Sequence, residues 1–200
     1  MSLDELREQI GQCEQCWLCK SRTRLVFGSG NENASLMFVG EAPGRAEDAQ
    51  GLPFVGPAGK LLDTLLGGIG LRRADVYITN VVKCRPPGNR DPNPEEIDAC
   101  NLFLKSQISI IKPKIVCALG RIAASVLLGR NVQMTKMHGQ KFPVPGFFVV
   151  PVYHPAAALR NPATVSVIEE DLSLLRRYLD DDEEPPPGEF TPEPEQMGLF

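Results

Sequence analysis

The sequence has no apolar run approaching the roughly 18 residues that a membrane-spanning helix needs, so an integral helical membrane protein is excluded. Its first residues, MSLDELREQIGQC, hold neither a basic stretch nor an apolar stretch of secretory type, and a cytoplasmic protein of prokaryotic type is expected. There is no G-x-x-x-x-G-K-[ST], because Lys60 has the wrong spacing and is followed by Leu61, and there is no G-x-G-x-x-G. Phosphate- and dinucleotide-binding loops of those kinds are therefore excluded. No internal repeat occurs. Histidine is scarce, at His138 and His154 only. Positive charge is missing entirely from one end: from Asp180 to Phe200 there are eight acids, five of the 18 prolines, and no Lys or Arg.

That local absence explains the global balance. The 200 residues carry a net charge of −4, which on its face argues against a nucleic-acid partner. Without the acidic end, residues 1–179 hold 17 acids and 21 bases. A segment so polar buries too little apolar surface to offset its ordering entropy. The chain is thus expected to be a single folded domain, 1–179, followed by a disordered acidic, Pro-rich tail, 180–200. The mildly basic body permits nucleic acid as a partner.

Four short apolar runs read as buried parallel strands: LMFVG (36–40), VYITNVV (76–82), IVCALG (115–120) and FFVVPV (147–152). Helical patterns lie between and around them, at 3–11, 58–70, 121–129 and 165–179. A further helix starts at Asn93-Pro94-Glu95-Glu96, with Asn as N-cap and Pro at N1, and runs to about Ile111. Strands alternating with helices predict an α/β fold, a parallel sheet covered on both faces. Binding residues are expected on loops at the carboxyl ends of the strands.

Six cysteines occur, at 13, 16, 19, 84, 100 and 117. In a reducing compartment disulfides are not expected. Cys13-x-x-Cys16-x-x-Cys19, with further cysteines downstream, suits zinc or an iron–sulfur cluster, and spacing does not choose between them. Cys117 lies within an apolar strand and reads as a core residue.

The loop after the first strand is long and rich in Gly and Pro: Gly40-Glu41-Ala42-Pro43-Gly44, then Glu47-Asp48, then Gly51-Leu52-Pro53-Phe54-Val55-Gly56. Phe54 between Pro and Gly suits a flat stacking surface for a base or sugar. Asn80 ends another strand; its amide offers a donor and an acceptor together, which matches a pyrimidine edge. His154 follows a third strand and suits a hydrogen-bond donor, a base or a metal ligand. His138 sits in TKMHGQKFPVPG, which reads as a hairpin, and no chemistry is assigned to it.

Three blocks in order, GEAPGRAEDAQGLPFVGPAGKLL (40–62), YITNVVKCRPPGNRDP (77–92) and HPAAALRNP (154–162), together with the cysteines, resemble the family 4, iron–sulfur, uracil-DNA glycosylases. The resemblance implies a three-layer α/β/α sandwich around a four-stranded parallel sheet. It implies a 4Fe–4S cluster held by Cys13, Cys16, Cys84 and Cys100, with Cys19 a departure from the family pattern. It implies a base-excision repair hydrolase acting on uracil-containing DNA, in which Gly40, Glu41 and Ala42 line the pocket and Phe54 stacks on the flipped uracil. Asn80 then reads the O4 and N3–H edge, and His154 donates to O2 of the leaving base. Glu41 and Glu47 are the acids near the attacking water, since Ala42 stands where family 1 enzymes have Asp. Arg85 and Arg90 would meet phosphates, while Leu159 would enter the duplex and Arg160 grip its backbone.

Two alternatives accompany this reading: a damaged-DNA binding module with weak or no turnover, suggested by Ala42, and an electron carrier. The chain is expected to be a monomer. The final Gln196-Met197-Gly198-Leu199-Phe200 resembles the peptide by which bacterial repair proteins bind the replication sliding clamp, with Leu199 and Phe200 filling an apolar pocket and Gln196 at its rim.

Overall fold

The computed structural model describes residues 1–190; the proposed clamp-binding residues Gln196, Leu199 and Phe200 lie outside them. The sheet has six strands in the order β1 (Ser29–Gly30), β3 (Tyr77–Asn80), β2 (Leu36–Gly40), β4 (Ile115–Leu119), β6 (Phe147–Val152) and β5 (Phe142–Val144). The inner four pair parallel, while β1 and β5 pair antiparallel at the two edges. The expected four-stranded parallel sheet is thus corrected to a mixed sheet of six. Of the two edges, β1 escaped notice because its two residues are too short for any periodic signal, whereas β5 falls in the segment TKMHGQKFPVPG read as a hairpin.

The inner strands read clearly because they are buried on both faces, which makes them largely apolar, with Thr79 and Asn80 of β3 the buried polar exceptions. Alternate strand residues feed two cores. Met37, Val39, Tyr77, Val116 and Val149 pack with α1 (Leu3–Ile10), α4 (Pro94–Ile111) and α5 (Arg121–Leu128). Leu36, Phe38, Ile78, Cys117 and Val150 pack with α3 (Pro57–Gly68), α7 (Pro155–Arg160) and α8 (Thr164–Asp180) on the other face. The result is helices on both sides of a sheet. Among the described residues, no helix is long and apolar enough to cross a membrane.

Three short helices went unread: α2 (Arg45–Gln50), α6 (Met134–Met137) and α7. The sequence RAEDAQ of α2 has no apolar stripe, and Pro and Gly around it suggest only loop. In contrast, α4 begins as expected, with Asn93 and Glu96 exchanging capping hydrogen bonds and Pro94 at N1.

The acidic segment also departs from expectation over its described part. Residues 181–190 do not leave the body. Asp181 pairs with Lys114 and Lys141, and Glu183 Oε2 lies 2.5 Å from Lys141 Nζ. Gly146 N donates to Pro186 O at 2.8 Å, and the Phe190 ring meets Phe147 edge-on at 5.0 Å. Two lysines thus give the acids specific partners, and Phe190 joins the core rather than solvent.

Candidate active site

An open cleft of about 860 Å³ lies at the carboxyl ends of the parallel strands. The chain runs from β2 to β3 on one side and then to β4 and β6 on the other, so the cleft sits where the winding reverses, the usual ligand position in such sheets. It brings together Glu41, Ala42, Glu47, Phe54, Asn80, Arg90, His154, Leu159 and Arg160.

Asn80 is the last residue of β3 and pairs in register with Gly40, the last of β2. Its side chain is buried, and its Oδ1 has no hydrogen-bond partner among the described residues. An unpaired buried acceptor costs about 1–3 kcal/mol, which a ligand N–H would recover. Gly40 is required beside it: a Cβ there would come within 2.6 Å of Phe54 Cζ and also collide with Asn80 Oδ1. Absence of that carbon lets the Phe54 ring lie against the strand end.

Phe54 has a left-handed backbone, φ 51°, although it is neither Gly nor Asn. Such a residue stores about 1–3 kcal/mol and persists only when its surroundings hold it. Glu47 Oε1 accepts from Val55 N at 3.0 Å and from Gly56 N at 2.9 Å. Arg73 Nη1 donates to Phe54 O at 2.9 Å, and its Nη2 donates to Pro53 O. Glu47, expected among the catalytic acids, is thereby engaged in bracing the Phe54 loop, because α2 aims its carboxylate at two backbone amides.

His154 caps α7, and its Nδ1 accepts from Ala156 N at 3.1 Å. That bond assigns the remaining proton of the neutral ring to Nε2. Burial, with Arg160 nearby, pulls the imidazole pKa down to about 4, so the ring is a neutral donor at ordinary pH. The Phe54 and His154 rings are 5.5 Å apart and inclined by 29°. A base lying flat on Phe54 would be inclined to the imidazole by roughly that same angle.

Glu41 follows Gly40 directly. Burial, reinforced by Asp91 and opposed by Arg121, raises its carboxyl pKa to about 7. It is the acid in the cleft poised to exchange a proton near neutrality. Leu159 stands half-exposed near the end of α7, with Arg160 beside it on the cleft rim. Arg85 does not line the cleft and donates to Asn89 Oδ1 at 2.7 Å. Arg90 does line it, but its guanidinium grips Glu96 through two bonds of 2.7 and 2.8 Å.

A second, smaller cavity is lined by Cys13, Cys16, Cys84 and Cys100, with Arg22 and Lys83 at its wall. Cys19 does not line it. The four thiols come from the stretch after α1, the end of the β3 segment, and α4. Arg22 Nη1 donates to Cys84 Sγ at 3.3 Å, and Lys83 N donates to Cys100 Sγ at 3.3 Å. Burial pushes the Cys100 thiol up to about 12. Among the described residues no three His, Cys, Asp or Glu side chains close on a single metal ion. Cys117 is fully buried in β4.

Sequence reasoning missed three contributors. Arg73 stands in a linker with no motif. Asp48, buried at the end of α2, accepts from Thr23 N at 2.8 Å and so ties the cysteine-bearing segment to the Phe54 loop. Lys83 is fully buried; its Nζ donates to Asn80 O at 2.6 Å, Gln107 Oε1 at 2.7 Å and Thr79 Oγ1 at 2.8 Å. Lys83 stands beside Cys84 in an apolar run, a weak hint of burial.

The sequence profile of the uracil DNA glycosylase superfamily matches residues 27–179. A type-4 uracil-DNA glycosylase of Archaeoglobus fulgidus is 46% identical over 182 residues, covering 87% of this chain and 92% of the relative. Another from Pyrobaculum aerophilum is 45% identical over 193 residues, covering 90% and 98%. A type-5 uracil-DNA glycosylase of Thermus thermophilus is 34% identical over 142 residues, covering 62% and 64%.

Proposed function

The chain belongs to the uracil DNA glycosylase superfamily, and from that membership and its cleft we infer that it is a base-excision repair hydrolase releasing uracil from DNA. The observation that carries the reading is the unpaired Oδ1 of Asn80 beside the Phe54 ring and the Nε2–H of His154.

The target nucleotide leaves the helical stack to enter the cleft. Phe54 supports one face of the base. Asn80 Oδ1 accepts from N3–H while its Nδ2 donates to O4; cytosine reverses that pattern and fits poorly. As the C1′–N1 bond breaks, its electron pair passes to the base and charge gathers at O2. His154 Nε2–H meets that charge, a preorganised donor that strengthens as the reaction proceeds. Water adds to C1′ of the oxocarbenium-like sugar and gives up a proton to Glu41. Gly40 and Ala42 shape the floor, and Glu47 holds Phe54 in place. Leu159 occupies the space the nucleotide vacates, and Arg160 grips phosphate. Arg85, outside the cleft, and Arg90, on its lining, are the further phosphate contacts of this reading, Arg90 with its guanidinium already paired to Glu96.

Cys13, Cys16, Cys84 and Cys100 suit a 4Fe–4S cluster. Four thiols from three chain segments face one cavity, and two N–H donors meet their sulfurs. Such a cluster would supply a structural cross-link between the N-terminal segment and α4. A broad visible absorption band in purified protein supports it over colourless zinc.

The proposal keeps one catalytic domain over residues 1–179, acting as a monomer, and an acidic extension carrying Gln196, Leu199 and Phe200 for the sliding clamp. Deleting residues 196–200 is expected to abolish capture by the clamp in a pull-down with turnover on short oligonucleotides unchanged. The function itself is tested by incubation with a uracil-containing oligonucleotide followed by alkali. Strand breaks mark a glycosylase. A gel shift without breaks marks a binding module and overturns the reading.

A further inference from the structure

We propose that Arg73 is a positioning residue for base recognition, acting through the backbone of Phe54. The inference rests on the reading of Phe54 as the platform under the base.

Arg73 lies in the linker between α3 and β3 and lines no part of the cleft. Its planar fork nevertheless grips two successive carbonyls of the cleft loop, Pro53 O and Phe54 O. The same guanidinium is anchored to α3 through Asp63 Oδ1 at 2.9 Å. On the same side α3 presents Gly59, where any Cβ would overlap the Phe54 carbonyl. The carbonyl is thus drawn toward α3, into the space that Gly59 leaves open.

The two sides of one residue are then coupled. The backbone of Phe54 is left-handed, and relaxation to an ordinary conformation would rotate the side chain relative to that carbonyl. The Phe54 ring lies over Gly40 and beside Asn80 and His154. Glu47 fixes the amides that follow Phe54, and Arg73 fixes the carbonyls of Phe54 and its predecessor. Together they clamp the strained residue from both ends. Because Glu47 also faces the cleft, Arg73 is the half of the clamp that can be altered without touching substrate.

The test compares R73M, R73K, F54A and the double variant R73M/F54A in the full chain. Two constants are measured: inhibition by free uracil, which reports the platform, and affinity for an oligonucleotide with an abasic site, which does not use it. R73M is expected to weaken uracil inhibition by about tenfold while leaving abasic-DNA affinity within about twofold. R73K should fall between R73M and the parent, since a single ammonium cannot reproduce the fork. In the F54A background R73M should add less than about twofold, because the two residues act as one unit. Unchanged uracil inhibition in R73M, or an equal loss with and without Phe54, overturns the role of Arg73 alone. Unchanged uracil inhibition in F54A rejects the platform reading, and the role of Arg73 with it. If R73M does not fold, R73K decides: a uracil inhibition constant raised by about threefold or more supports the proposal, and an unchanged one rejects it.

Discussion

Replacing Glu41 by Gln should remove one limb of the pH–rate profile while making the protein more stable in mild alkali. Burial raises the Glu41 carboxyl to about 7, and His154 is held near 4. Across the neutral range the imidazole therefore stays neutral, and Glu41 is the cleft group that changes charge. A group of that pKa is ionised to roughly one part in ten at one pH unit below it and nine parts in ten at one unit above. If the carboxylate receives the water proton, kcat/KM for a uracil-containing oligonucleotide rises about tenfold between roughly pH 6 and pH 8. In E41Q the profile is flat over that interval and the plateau falls by about 10²–10⁴. The stability change has the opposite sign. The folded state holds the Glu41 proton more tightly than the unfolded chain, so stability is lost as pH rises from the ordinary carboxyl value of 4.5 through about 7. Discounted for partial exposure, that loss is on the order of 2 kcal/mol at mildly alkaline pH, and E41Q avoids it. Steady-state assays and thermal melts in matched buffers check both halves. A parent enzyme with a flat profile, or an E41Q variant that keeps the limb, refutes the assignment of Glu41.

Three further outcomes follow from the geometry. H154A should lower the single-turnover rate by about 10²–10³ with little change in DNA affinity, since the lost donor acts on the leaving base; a near-parental rate removes His154 from the mechanism. G40A forces a Cβ against the Phe54 ring and Asn80 Oδ1, and its uracil inhibition constant should rise by about tenfold or more at a small cost in melting temperature. C100S should lose the visible absorption band and, with it, the cross-link between the N-terminal segment and α4, seen as a lower melting temperature. A C117S control is expected to keep the band.

How much of this was legible in the sequence depends on where each signal resides. The inner strands announce themselves because burial on both faces demands continuous apolar runs, and α4 because Asn93, Pro94 and Glu96 cap it in a recognisable order. Asn80 and His154 stand out because each is a polar group at the carboxyl end of such a run. Glu47 was read as an acid near the chemistry because its role depends on α2, a helix with no apolar stripe to betray it. Arg73 had no signal in any motif: its two bonds to the cleft loop go to backbone carbonyls, which carry no residue identity, and Asp63 lies ten residues away. Arg90 was read as a phosphate contact with no partner in the protein named for it, and Glu96 at the third position of α4 turns back to pair with it. The docking of residues 181–190 was hidden because composition describes a segment's average tendency, whereas Lys114, Lys141 and Phe147 give particular residues particular partners.

That docking fixes where the described chain ends on the body. Phe190 rests on Phe147, the first residue of β6, while His154 follows the last. Six extended residues, about 17 Å of strand, separate those levels. The described chain therefore ends at the pole opposite the cleft. A pull on Phe190 is borne first by its contact with Phe147 and by the acid–lysine pairs, before it reaches α8.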